Sequence, residues 1–391
     1  MNRTLIGLNL AIFVNMVGTG MVMPLLLGKV VAFTGSDASV GYIASSLAVS
    51  YMLIQLPMGR LADRLGFKKF IVAGYLFCAV CGLLYYFSRG VSWIFIGRAI
   101  QGIGEAPLWA LAPALLSLHY PASKGRVMGQ YNATLHVGVT MGPLLGIVAL
   151  NLSQHIAGDA PFLFYSCACV ASALVVAVLV RDVRGKDTSS SEPGEAMDFG
   201  KIRSLASDPA IRASLVGIAL YGAGYGLFLT AIPAFLLRES AWSQTLVQIF
   251  FACYYLAISV SQLIAGPLSD RWGRERFMVA GLLVSALLLA VFPFFSNRFA
   301  ALGALTTAGL GLGFFYLASM AYLNAAVPEG LKGAISGAYF LFWGIGYFAG
   351  PPLVGYANAG PSPIAGFLGY AAFLLLESAL LAFVLSRKKI S

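Results

Sequence analysis

The sequence predicts an all-α membrane protein of twelve transmembrane helices, arranged as two parallel-repeat six-helix bundles. Three observations predict it. The chain has too few charges to coat a water-facing surface, apolar runs of span length recur from end to end, and its two halves match at a nearly constant offset.

Of the 391 residues, 59% are hydrophobic and 10% charged, and the mean hydropathy is +0.84. A soluble domain carries about 25% charged residues, so lipid must cover the outside of this chain. Apolar runs of roughly 20 residues, each enough to cross a hydrocarbon core as helix, fall at roughly 5–27, 39–59, 70–88, 92–118, 127–150, 161–180, 213–236, 244–266, 277–296, 300–327, 333–357 and 364–386. The alternating stretches of about 10 residues that build a membrane β-barrel are not seen. The first run is span-length and is followed by no small-x-small cleavage site, so it reads as a span and not as a leader.

The net charge of +10 is a topology signal and implies no nucleic-acid partner. Arg3, Arg60, Arg64, Lys68, Lys69, Lys124, Arg126, the run from Arg181 to Arg212, Arg271, Arg274, Arg276, Lys332, Arg387, Lys388 and Lys389 fall on one side. Lys29, Arg89, Arg238 and Arg298 fall on the other. The positive-inside rule then puts both termini in the cytoplasm of a multi-pass plasma-membrane protein, as in a bacterial cell membrane. All five cysteines lie in spans. Cys78 and Cys81 have a redox or zinc spacing, but no second ligand pair accompanies them, so they read as small packing residues. No metal or cofactor is expected.

The polar stretch from Arg181 to Arg212 contains Asp187-Thr-Ser-Ser-Ser-Glu-Pro-Gly-Glu195, which is too polar to bury a core. The expected organisation is a bundle over 1–183, a cytoplasmic linker over 184–212 and a second bundle over 213–391. Gly59-Arg-Leu-Ala-Asp63-Arg64-Leu-Gly66 aligns with Gly266-Pro-Leu-Ser-Asp270-Arg271-Trp-Gly273, an offset of 207 (270 minus 63). Gly102 and Gly104 align with Gly309 and Gly311 at the same 207, and Gly138, Gly142 and Pro143 with Gly346, Gly350 and Pro351 at 208. An even number of spans per half gives both copies one orientation, the plan of transporters that bind substrate between halves near mid-membrane.

These residues resemble the major facilitator superfamily over the whole chain. The stretch from Gly59 to Lys69 is similar to that family's loop G-x-L-a-D-R-x-G-r-k-x. The resemblance implies that Gly59, Asp63, Arg64 and Gly66, with Asp270 and Arg271 in the second copy, form a cytoplasmic gate. The fourth span carries Arg98, Gln101, Gly102, Gly104 and Glu105, resembling R-x-x-q-G-x-g. Arg98, Gln101 and Glu105 share one helix face. Two ionisable groups inside a span cost several kcal/mol unless they pair or face water, so they are functional candidates. At the 207 offset Arg98 becomes Leu305 and Glu105 becomes Leu312, so the charges belong to one copy. The competing reading is a structural ion pair, or a bond from Arg98 to helix carbonyls. The functional reading makes Glu105 the proton carrier, with Arg98 adjusting its proton affinity. Gly138, Gly142 and Pro143 resemble the g-x-x-x-G-P-x-x-G run of antiporters, drug/proton exporters above all. With Gly350 and Pro351 they are gating candidates or a packing kink.

Stripes at helical spacing propose the lining: Asn15 and Thr19; Gln101; Asn132 and His136, with Thr140; Tyr221 and Tyr225; Tyr255, with Ser259 and Gln262; Tyr339 and Trp343, with Tyr347. Each aromatic taken singly could be packing. His136 either titrates or hydrogen-bonds. Glu377 on the twelfth span reads as a structural pair or a snorkelling carboxylate, since that helix is peripheral in the resembled fold, with a part in coupling as the competing reading. With Arg98 as the lone intramembrane cation, the aromatic and methionine-rich lining suits a hydrophobic or amphipathic small molecule. The expected activity is proton-driven efflux from a monomer among membrane lipids, with the proton gradient as energy source. Alternatives are a lysolipid, metabolite or siderophore exporter resembling the Spinster carriers, an uptake symporter, or a receptor. Drug exporters and Spinster carriers alike often hold an acid in the first span, which this chain lacks. No Walker motif, metal cluster or nucleophile elbow argues for an enzyme.

Overall fold

A computed structural model describes residues 3–34, 37–153, 159–182, 208–327 and 332–388. Each span read from the sequence is helical: α1 (Arg3–Thr34), α2 (Asp37–Leu65), α3 (Phe67–Tyr86), α4 (Val91–His119), α5 (Lys124–Ser153), α6 (Ala160–Leu179), α7 (Pro209–Leu229) with α8 (Ala231–Arg238), α9 (Gln244–Trp272), α10 (Arg274–Val291), α11 (Arg298–Ala326), α12 (Lys332–Asn358) and α13 (Ala365–Lys388). Most of the linker, 184–207, lies outside the described residues.

The seventh span is two helices because Pro233 has no N–H for the Leu229 carbonyl and its ring crowds that carbonyl. The chain kinks at Thr230, whose φ is −133° and ψ −79°. The Thr230 hydroxyl donates to the Gly226 carbonyl at 2.7 Å. Among the described residues, eight helical stretches are long and apolar enough to cross a membrane, α7 and α8 forming one of them. In α2 the apolar part is the shorter Ser39–Gln55. The helices that fall short, α4, α5 and α12, hold Arg98 and Glu105, Asn132 and His136, and a run of glycine, tyrosine and tryptophan. They are 27 to 30 residues long, so polar content and not length lowers their hydropathy.

The chain forms two compact units. One comprises Met1–Ser36, Tyr42–Ser190 and Leu236–Tyr255, the other Asp37–Gly41, Ser191–Phe235 and Leu256–Ser391. Within the first, α1 packs on α5 and α6, and α3 on α4 and α6. Within the second, α7 packs on α12 and α13, and α10 on α11 and α13. These are the same four pairings between repeat-equivalent helices.

The glycines show why. A Cβ on Gly104 would meet the Gly74 carbonyl oxygen at 2.8 Å, and one on Gly311 would meet the Gly281 carbonyl oxygen at 2.7 Å. Both pairs are separated by 207 residues from their copies, and in both the bare backbone lets two helices touch. Gly138 lies on the Phe13 carbonyl and Gly346 on the Ala219 carbonyl, so α1 and α7 correspond at 206. Gly66 and Gly273, each one residue before α3 or α10, have φ of +92° and +96°, a region that side chains disfavour. The turn into α3 is capped by Asp182, whose Oδ1 accepts from the Phe67 and Lys68 amides at 3.0 and 3.1 Å.

Candidate functional site

Arg98, Gln101 and Glu105 lie buried along one face of α4. Gln101 joins the two charges. Its Oε1 accepts from Arg98 Nη1 at 3.0 Å and its Nε2 donates to Glu105 Oε1 at 2.8 Å. Arg98 Nε also donates to the Ile43 carbonyl of α2 at 3.3 Å. A fourth member comes from α3: the Tyr85 hydroxyl donates to Gln101 Oε1 at 2.7 Å. Gly97 leaves room for the Tyr85 ring, which a Cβ there would strike. The chain of bonds therefore runs Tyr85 and Arg98 to Gln101, then to Glu105. A buried carboxylate and guanidinium linked through an amide can move a proton's worth of charge while every polar group keeps a partner.

Outside this chain, Lys29 at the end of α1 ties Tyr85 in place. Its Nζ donates to the Tyr85 carbonyl at 2.8 Å, pairs with Asp159 at 3.0 Å and lies 5.1 Å from the Phe162 ring centroid. Tyr85 meets Phe162 edge-on at 6.0 Å. The second unit repeats this geometry without its polarity. Phe235, Phe292 and Phe367 stand at the positions of Lys29, Tyr85 and Phe162 (offsets 206, 207 and 205), with ring centroids 5.2 to 5.8 Å apart. Leu305, Ala308 and Leu312, the counterparts of Arg98, Gln101 and Glu105, are buried apolar residues. The whole polar assembly belongs to one copy.

The other residues singled out in the sequence divide between the units. In the first, Asn15 is fully buried and its Nδ2 lies 3.3 Å from Cys169 Sγ, while its Oδ1 and the Thr19 hydroxyl have no hydrogen-bond partner among the described residues. Asn132 is exposed and His136 half-buried. Tyr255 packs with Phe251 and Tyr254. In the second, Tyr221, Tyr225, Tyr339 and Trp343 do converge. Tyr225 lies 6.1 Å from Trp343, which stacks on Tyr347 at 5.1 Å and 8°. Tyr316 of α11 fills the middle, 5.0 Å from Tyr221 and 5.8 Å from Tyr339.

Gly138 and Gly142 seat α5 on α1 at the carbonyls of Phe13 and Val17, and Pro143 lies against Gly20. Gly350 lies on Ala223 and Pro351 on Gly226. Gly59 is open, and Arg64 and Arg271 are exposed. The side chains of Asp63 and Asp270 lie outside the described residues. One expectation is overturned: Glu377 does not snorkel, and no ion pair to it is seen among the described residues. It is 4% exposed, and its Oε1 has no hydrogen-bond partner among the described residues. Its face of α13 turns inward onto α7 and α10, and the carboxyl goes with it.

Tyr85, Lys29 and Tyr316 were not foreseen. For the first two the repeat held a signal, since Tyr85 and Lys29 replace phenylalanines of the other copy, as Arg98 and Glu105 replace leucines.

The model of the Major Facilitator Superfamily matches the chain twice, over residues 8–223 and 214–391. Among characterised sequences, multidrug resistance protein 1 of Bacillus subtilis (strain 168) is 22% identical over 356 residues, 90% of this chain and 89% of that one. An uncharacterized MFS-type transporter of Methanocaldococcus jannaschii is 23% identical over 349 residues, 88% of each chain. A solved bacterial homolog of the human lysosomal transporter Spinster, inward-facing and occupied, superposes with a TM-score of 0.79 at 18% identity, covering 98% of this chain and 96% of that one.

Proposed function

We propose, from the premise that this chain belongs to the major facilitator superfamily and is a transporter, that it exports small hydrophobic or amphipathic compounds in exchange for protons by alternating access. The observation that carries this reading is the buried chain Arg98–Gln101–Glu105 with Tyr85, present in one copy of a repeat whose other copy is apolar. Packing alone does not require it, because the second unit makes the same helix contacts with leucine, alanine and phenylalanine. Buried ionisable groups that a scaffold does not need are retained for work. In this reading Glu105 takes up and releases the proton, Gln101 transmits the change, and Arg98 holds the counter-charge.

The resemblance to a multidrug resistance protein supports efflux and a broad substrate class. The aromatic cluster of Tyr221, Tyr225, Tyr316, Tyr339 and Trp343 supports a flat or cationic organic solute, which ring faces attract. Both termini are cytoplasmic, and Asp63, Arg64, Asp270 and Arg271 serve the cytoplasmic gate. The test is reconstitution into liposomes with an imposed pH gradient and a panel of lipophilic cations, lysolipids and metabolites. Gradient-driven movement of lipophilic cations is expected. A correctly folded protein that moves none of the panel under any gradient overturns the reading.

A further inference from the structure

The second unit has a buried carboxyl of its own. Among the described residues the buried ionic side chains are Arg98, Glu105 and Glu377. The first two share a network, and Glu377 has none.

The repeat shows that this carboxyl is an addition. Phe162 and Phe367 make equivalent ring contacts with Tyr85 and Phe292, so α6 and α13 correspond at 205, which places Ser172 opposite Glu377. The α1–α7 correspondence at 206 places Ala11 opposite Gly217. In the first unit the Ser172 hydroxyl donates to the Ala11 carbonyl at 3.0 Å. In the second, Gly217 lies beside Glu377, and a Cβ on it would be 3.5 Å from Oε1 and 2.7 Å from the Phe315 ring. The contact is the same, but serine has become glutamate and alanine has become glycine. The lost methyl makes space for the longer side chain.

Among the described residues no charge is seen to compensate it. On α7 the titratable neighbours are Tyr221, about one turn from Gly217, and the exposed Arg212. On α10, Arg274, Glu275 and Arg276 stand in the first turn, Arg274 bonded to the Ala321 carbonyl at 2.9 Å and Arg276 exposed. On α11, Tyr316 faces Tyr221 and Tyr339; on α12, Tyr339 and Tyr347 lie within the aromatic cluster. On α13 itself, Tyr370 donates to the Leu220 carbonyl at 2.8 Å and Arg387 lies over Phe383. A carboxylate buried without a partner costs several kcal/mol, whereas the uncharged acid at the same place costs far less.

We propose that Glu377 is a second proton-binding site, housed in the second unit and separate from the Glu105 network. Its carboxyl takes a proton from water to become the buried acid, and returns it to water to leave a carboxylate. The proposal does not depend on Glu105 carrying protons.

Infrared difference spectroscopy of the purified protein in bilayers tests it without transport. At neutral pH, wild type and Glu105→Gln are expected to show a protonated-acid carbonyl stretch that Glu377→Gln and Glu377→Ser lack, and that shifts in deuterium oxide. The serine variant restores the residue of the first unit and guards against misfolding of the amide. Labelling wild type with a hydrophobic carbodiimide, mapped by mass spectrometry, needs no variant, and an adduct at Glu377 that declines as pH rises is expected. An acid band unaltered by both substitutions, a band that never exchanges with deuterium, or labelling independent of pH overturns it.

Discussion

Replacing Gln101 with alanine, the residue of the second copy, should damage the protein more than replacing the whole network. Gln101 is the acceptor for Tyr85 at 2.7 Å and Arg98 at 3.0 Å and the donor to Glu105 at 2.8 Å. Its removal leaves three buried groups without that partner. A buried group left unsatisfied costs about 1–3 kcal/mol. With the relaxation usual when one member of a buried charged set is deleted, the loss should be about 3–5 kcal/mol. The combined change Tyr85→Phe, Arg98→Leu, Gln101→Ala and Glu105→Leu instead installs the residues that the second unit buries at 2% exposure or less. It removes donor and acceptor together at each link among the four, leaving only the Ile43 carbonyl without its bond from Arg98 and Trp109 without its bond to Glu105, and should fall within about 1 kcal/mol of wild type or above it. Denaturant unfolding in mixed micelles measures both. If the fourfold variant is as unstable as Gln101→Ala, the network is a stabilising element of the fold and the argument from the repeat fails.

Gly104→Val should cost about 1–3 kcal/mol, since its Cβ meets the Gly74 carbonyl and Cys78 Sγ at 2.8 Å in a tight core. Gly129→Ala, with nothing within 4 Å, should be neutral or stabilise by up to about 1 kcal/mol; thermal unfolding compares the two. Lys29→Met should cost about 1–3 kcal/mol through its bonds to Asp159 and the Tyr85 carbonyl, while Lys29→Phe, copying Phe235, should recover part of it in the same assay. Trp343→Ala should weaken binding of a lipophilic cation roughly tenfold, the worth of a desolvated cation–π contact, as read by calorimetric titration.

The helices and the repeat were legible because lipid imposes span length and apolarity on every crossing, and because close helix contacts such as those at Gly104 and Gly311 favour glycine in both copies. The Arg98, Gln101 and Glu105 face was legible from helical spacing. Its links were less so: a direct pairing of Arg98 with Glu105 was as compatible with the spacing as the Gln101 bridge. Tyr85 was hidden because a tyrosine near a span end ordinarily marks the membrane interface. The Thr230 break was missed because Pro233 sits where a span could equally have ended. Snorkelling was offered for Glu377 because the last helix is peripheral in the resembled fold. The inward direction of Glu377 depends on how α13 packs on α7 and α10, which periodicity in so apolar a helix does not reveal.

The central claim is that Glu105 couples solute movement to protons, and Glu105→Gln in liposomes tests it most directly. The amide keeps an acceptor for Gln101 Nε2 and cannot release a proton. The variant is expected to exchange substrate down its own gradient yet no longer to accumulate it under an imposed pH gradient. Undiminished accumulation by the variant would contradict the claim.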